Sequence, residues 1–209
     1  MARNTASFNR SKSYLKPQPT VLVICEDTKS GKRYLEDASL HFRVKVSVEI
    51  IHCGKTDPLN IVKEAISRQG KFDRVFCAID RDTHETFDAA MNLVKDSKKV
   101  KMIVSYPCFE FWLLLHFGYN RKPYAATGKH SGADLLIKDL SAHPGLEYYD
   151  KGKDQGVFKM LLEKGFTEAR RIAPNVLTEA KASREMNPST QLHELLDYFE
   201  EQSNPLPVE

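Results

Sequence analysis

Val21-Leu22-Val23-Ile24-Cys25-Glu26 and Val75-Phe76-Cys77-Ala78-Ile79-Asp80-Arg81-Asp82 decide how this chain is read. Each is a short, continuous apolar run that ends on acid. Runs of this length mark strands buried on both faces, and such strands belong to parallel sheets covered by helices. Open α/β sheets bind ligands beyond the carboxyl ends of their strands. Glu26, Asp80 and Asp82 are therefore expected around one crevice. Carboxylates crowded together repel unless a cation lies among them. Hard oxygen ligands suit Mg²⁺ or Mn²⁺, so the first expectation is a metal-dependent site acting on phosphates.

Working outward, the runs sit in a regular alternation. Lys29 to Leu40 reads as a helix, and Val44, Val46, Val48 and Ile50 alternate with polar residues in a half-exposed strand, Val44 to Ile51. Asp57-Pro58 supplies an N-cap and a proline at the first helical position. Ile61, Val62, Ala65 and Ile66 form the buried stripe and Gly70 the stop. Phe87, Ala90, Met91 and Val94 recur at helical spacing, Val100 to Val104 forms a fourth strand, and Pro107 opens an apolar helix through Phe117. The order βαβαβαβ predicts an α/β core over residues 20–117, a doubly wound, right-handed, parallel four-stranded sheet flanked by helices.

Residues 118–209 read as a helical C-terminal extension packed on that core. Tyr119 to Tyr149 is loop-rich, helices at Gly156–Leu162 and Thr167–Ile172 are separated at Gly165 and ended by Pro174, and Asn187-Pro188 caps a last helix. In that helix Leu192, Leu195, Leu196 and Phe199 share one face. Residues 1–19 carry Arg3, Arg10, Lys12 and Lys16 and no acid, the pattern of a flexible basic arm, read as a disordered leader with a phosphate-contacting arm as the alternative.

An apolar content of 41% with 28% charged residues in 209 is that of a soluble globular protein with a sizeable core. A net charge of +3 permits nucleic-acid binding without requiring it. No apolar run reaches membrane-spanning length, and the first twenty residues lack the apolar segment of a signal peptide. Cys25, Cys53, Cys77 and Cys108 have no CxxC spacing and read as reduced thiols rather than as a zinc site with His52 or His84. Together these predict a cytoplasmic protein without a membrane partner.

Several constellations can carry chemistry. Asp80 and Asp82, two apart on an extended chain, point the same way and can share one cation; alternatively Asp82-Thr83 only caps the next helix. Glu110, inside Phe109-Glu110-Phe111-Trp112-Leu113-Leu114-Leu115, needs a cation, a basic partner or a proton if buried. It is a fourth ligand, an orienting residue or half of a structural ion pair, and His116 is structural or on the rim. Lys29, Lys32 and Arg33, at a helix start facing the crevice, suit a phosphate, the alternative being a solvated helix face. Lys151 and Lys153 lie on a loop able to reach a scissile phosphate, the alternative being a solvated charge run. Gly54-Lys55-Thr56 is too short for a P-loop.

Val21 to Glu26 followed by Ala78-Ile79-Asp80-Arg81-Asp82 resembles the Toprim catalytic core of topoisomerases, primases and OLD-type nucleases. More specifically, Ile79 to His84, Pro107-Cys108-Phe109-Glu110-Phe111-Trp112-Leu113-Leu114-Leu115-His116-Phe117 and Asn187-Pro188-Ser189-Thr190 resemble the RloB-like family over nearly the whole chain after the arm. The resemblance implies a Mg²⁺- or Mn²⁺-dependent nuclease. Glu26 would be the general-base or metal-activating carboxylate, Asp80 and Asp82 the metal ligands and Glu110 the family's helix glutamate. RloB-like proteins are encoded near bacterial restriction-modification and anti-phage loci, which implies a defence role by association, a nucleic-acid substrate and a possible partner ATPase or other defence protein. One departure stands out: Asp27 occupies the place where a glycine usually follows the first glutamate, as an extra ligand or a mark of altered activity.

Val75 to Thr83 also resembles the first motif of haloacid dehalogenase-like phosphatases, with Asp80 as nucleophile and Asp82 as general acid. That reading lacks a later strand ending in paired aspartates and leaves Glu26 without a role. A nucleic-acid- or nucleotide-binding module without turnover is the third reading. The sequence does not choose between DNA, RNA and nucleotide, and does not give the oligomeric state.

Overall fold

A computed structural model describes residues 19–42, 47–81, 84–151, 153 and 156–203. Strands β1 (Thr20–Cys25), β2 (Ser47–Ile51), β3 (Arg74–Asp80) and β4 (Val100–Tyr106) are parallel. A two-residue β5 (Ser189–Thr190) adds antiparallel to β4, giving a five-stranded sheet of order β2-β1-β3-β4-β5. The predicted sheet of four is thus one strand short. Two residues carry no periodicity, and β5 is defined by its partners: Ser105 and Thr190 share a hydroxyl hydrogen bond of 2.8 Å. Gln191 closes the edge beside it, its N–H donating to the Val104 carbonyl and its Oε1 accepting the Val104 N–H. Val44 and Val46, expected in β2, lie outside the described residues.

The helices are α1 (Ser30–His41), α2 (Pro58–Arg68), α3 (Phe87–Val94), α4 (Glu110–Leu114), α5 (Gly132–Leu140), α6 (Val157–Lys164), α7 (Phe166–Ser183) and α8 (Leu192–Ser203). Side chains alternate across a strand, and that alternation sorts the layers. Val21, Val23 and Cys25 pack with α1, α4 and α6–α8 on one face, while Leu22, Ile24, Cys77 and Ile79 pack with α2 and α3 on the other. The chain winds from β1 out to β2, then crosses back to β3, so the winding reverses between β1 and β3. Open α/β sheets bind ligands at such a switch point.

Asp57 caps α2 as expected, accepting the Asn60 N–H at 3.0 Å, with Pro58 at the first helical position. The same carboxylate accepts the Thr86 hydroxyl, which ties the turn before α3 to α2. Gly70 does not stop the helix; it lies in a 3₁₀ turn, Gln69–Lys71, beyond it.

The extension departs further from the sequence reading. The segment from Tyr119 to Tyr149 contains α5, entered through a Ser131/Asp134 capping box. Pro174 does not end its helix, because α7 runs through it. Asn187-Pro188 leads into β5 rather than capping α8, and the Asn187 amide clamps the Tyr124 backbone, donating to its carbonyl and accepting its N–H. Gly165 marks a close approach: a Cβ there would lie 2.1 Å from the His116 carbonyl oxygen. Among the described residues no helix is long and apolar enough to cross a membrane.

His116 is structural. It is buried, its Nδ1–H donates to the Trp112 carbonyl at 3.0 Å, and its Nε2 is buried without a hydrogen bond. Burial disfavours the imidazolium and pulls its pKa down to about 4. The unfolded chain therefore takes up this proton first, and stability falls as pH drops from about 6.5 toward 4. We expect His116→Leu to gain on the wild type over that window by up to about 1.4 kcal/mol per pH unit, read from urea melts at successive pH values.

Candidate active site at the sheet switch point

Glu26 follows β1, and its N–H still donates to the Ala78 carbonyl of β3 at 3.0 Å, so the ladder carries it to the level of Asp80. Its Oε2 accepts the Asp80 N–H at 2.9 Å, and its Oε1 lies 3.2 Å from His84 Nε2. The Asp80 side chain turns toward α4, where Oδ1 accepts the Phe109 N–H at 2.8 Å. Glu110, the first residue of α4, is fully buried. Its Oε1 accepts the Tyr149 hydroxyl at 3.1 Å. Its Oε2 has no hydrogen bond and faces the Lys151 ammonium at 3.5 Å. The same ammonium lies 3.7 Å from Asp80 Oδ2.

One cation thus bridges two carboxylates, with a third joined to them through the backbone. Burial holds the Asp80 carboxyl well above the usual carboxylate range; Lys151 pulls it down, but Glu110, Glu26 and Asp27 push the other way. Lys151 is displaced upward, because the Glu110 and Asp80 charges together outweigh the burial that opposes its charge. Burial, then Glu110 and Asp80, likewise raise the Cys108 thiol. The site is a concentrated negative field with Lys151 set into it.

A cavity of about 20 Å³ lies against Glu26, Asp27, Asp80 and Ser105. That is room for about one water-sized occupant. A hollow of about 880 Å³ between Arg74, Lys98 and Tyr198 lies at the opposite, amino ends of β3 and β4 and touches none of these carboxylates.

A family model described as RloB-like protein matches residues 21–199. The chain belongs to the RloB-like family. Neither a curated protein nor a solved structure matches it.

In this RloB-like chain Glu26, Asp80, Glu110 and Lys151, spread from β1 to the segment before α6, are brought together. Asp82 lies outside the described residues. Lys153 is exposed and pairs with Asp150 rather than with the carboxylates. Lys29 and Arg33 are exposed at the start of α1. Asp27 acts as a capping group: its two oxygens accept the Gly31 and Lys32 N–H groups at 3.2 and 3.3 Å. A carboxylate in this place opens α1 as a glycine could not. Among the described residues the cysteines are free, and no three His, Cys, Asp or Glu side chains form a group able to hold a metal ion.

The donors that are present nevertheless suit a hard cation. Mg²⁺ is held through one or two carboxylates and completes its shell with water and phosphate oxygens. Glu26 and Asp80 beside a water-sized cavity, with a buried Glu110 oxygen lacking a hydrogen bond, fit that demand.

Sequence reasoning missed His84 and Tyr149 as site residues. His84 closes the Ile79–His84 motif, but its partner is 58 residues away. Tyr149 adjoins the Lys151 loop, and nothing distinguishes it from its neighbour Tyr148, which is 94% exposed. Tyr149→Phe leaves Glu110 Oε1 without its donor and should cost about 1–2 kcal/mol in chemical denaturation; an unchanged midpoint would place the hydroxyl outside the network.

Proposed function

We propose that this RloB-like chain is a Mg²⁺- or Mn²⁺-dependent nuclease with a Toprim-like core, serving anti-phage defence on a DNA or RNA substrate beside a partner such as an ATPase. The observation that carries the reading is the direct contact of Glu26 with Asp80, 54 residues on, at the switch point of the sheet. Glu26, Asp80 and Asp82 would hold the ion. What a bound Mg²⁺ or Mn²⁺ supplies is charge neutralisation on the phosphate and a more acidic water.

The chain's own residues do the rest. Glu26 accepts the proton of the attacking water, and His84 at 3.2 Å fixes the carboxylate that takes it. The Phe109 N–H fixes Asp80, leaving Oδ2 on the side of the Lys151 loop. Glu110 and Tyr149 set that lysine against the site. Lys151 then offers its charge to the phosphodiester, with Lys29, Arg33 and Lys153 as more distant backbone contacts. A phosphatase using Asp80 as nucleophile leaves the Glu26 contact without a use, so the nuclease is preferred.

Labelled DNA and RNA incubated with each metal test this directly. Glu26→Gln should lower cleavage by about 10²–10⁴-fold. Asp80→Asn should abolish it, with an unchanged circular dichroism spectrum in both variants. Undiminished cleavage by Asp80→Asn rules the assignment out, and a phospho-aspartate trapped at Asp80 favours the phosphatase.

A further inference from the structure

The lysine between the carboxylates is held in an unusual way. Charge-assisted hydrogen bonds from an ammonium to a carboxylate run about 2.7–2.9 Å. Lys151 stands at 3.7 Å from Asp80 and 3.5 Å from Glu110, so it is retained by charge rather than by directed bonds. It is also the most exposed of the three partners: its side chain is 39% exposed, against 20% for Asp80 and none for Glu110. Glu110 keeps its Tyr149 hydrogen bond, and Asp80 its Phe109 and Glu26 contacts, whether or not the ammonium stays. A divalent cation at Asp80 would meet the ammonium at contact range, where like charges repel strongly.

We propose that Lys151 is the site's exchangeable counter-ion: it neutralises Asp80 and Glu110 while the metal is absent, gives up Asp80 when a divalent cation binds, and is then released toward the substrate phosphate. This rests on the reading of Asp80 as a metal ligand. It turns the lysine from one more basic contact into the residue that sets metal affinity and couples loading of the ion to readiness for a phosphodiester.

The test is calorimetric titration of Mg²⁺ and Mn²⁺ into the full chain without nucleic acid, for wild type, Lys151→Met and Lys151→Arg. Lys151→Met should bind at least about tenfold more tightly, because it removes the competitor and leaves the acids uncompensated, while Lys151→Arg stays near wild type. A second readout uses the wild type alone: reductive methylation of Lys151, followed by peptide mass spectrometry, should speed up when Mg²⁺ is added. It decides the matter if Lys151→Met does not fold. Equal or weaker binding by the methionine variant, or methylation indifferent to the metal, overturns the exchange and leaves the metal site standing. Absence of binding in all three proteins overturns the exchange together with the metal site.

Discussion

A glutamate wholly removed from water, and the positive charge set against it, govern this end of the molecule. Burying an isolated carboxylate carries a penalty of several kcal/mol even after the protein relaxes. Glu110 escapes it through Lys151 on one oxygen and the Tyr149 hydroxyl on the other. Both come from the segment before α6, far along the chain from the sheet. The core thus needs the extension for electrostatic reasons as well as for apolar cover, and one apolar cluster runs from Val21 and Val23 of β1 to Leu195 and Phe199 of α8.

The sheet explains why acids from distant segments meet. In a parallel pair the register is fixed by burial on both faces, since a slip of one residue exchanges the two faces. Cys25 is level with Ala78, so the residue after β1 comes to lie beside the last residues of β3. Glu26, at the bend that follows β1, reaches the Asp80 N–H with its side chain. The acids are placed by the strands, whereas the cation is placed by a loop. Acids held by backbone hydrogen bonds and a lysine held by charge alone are what the proposed exchange of one cation for another requires.

How much of this was legible follows from the range of each interaction. β1 and β3 announce themselves locally by unbroken apolar runs, β2 by its alternation and α2 by Asp57-Pro58. Glu26 and Asp80 were legible because strand ends are places that topology brings together, and Glu110 because an acid among Phe109, Phe111 and Trp112 has no apolar explanation. What was hidden is set by tertiary contact. β5 exists through Ser105 and Gln191, and α7 continues past Pro174 because Ala173, Val176 and Leu177 are buried against the core on either side of it. Asp27 shows a role that the sequence did not announce: the half-buried N–H groups of Gly31 and Lys32 that open α1 are bonded to its carboxylate.

The site tolerates much like charge. Asp80 has Glu26, Glu110 and Asp27 as neighbours, and burial already disfavours its ionised form. Backbone N–H groups from Asp80 and Phe109 and a single ammonium are what offset this. Such a field would favour a small dense cation over a diffuse one, since the attraction rises with charge and falls with distance. It also repels a bare phosphodiester until positive charge has been added. Under the proposed exchange a field of this sign would impose an order, cation before phosphate, with Lys151 at its edge connecting the two.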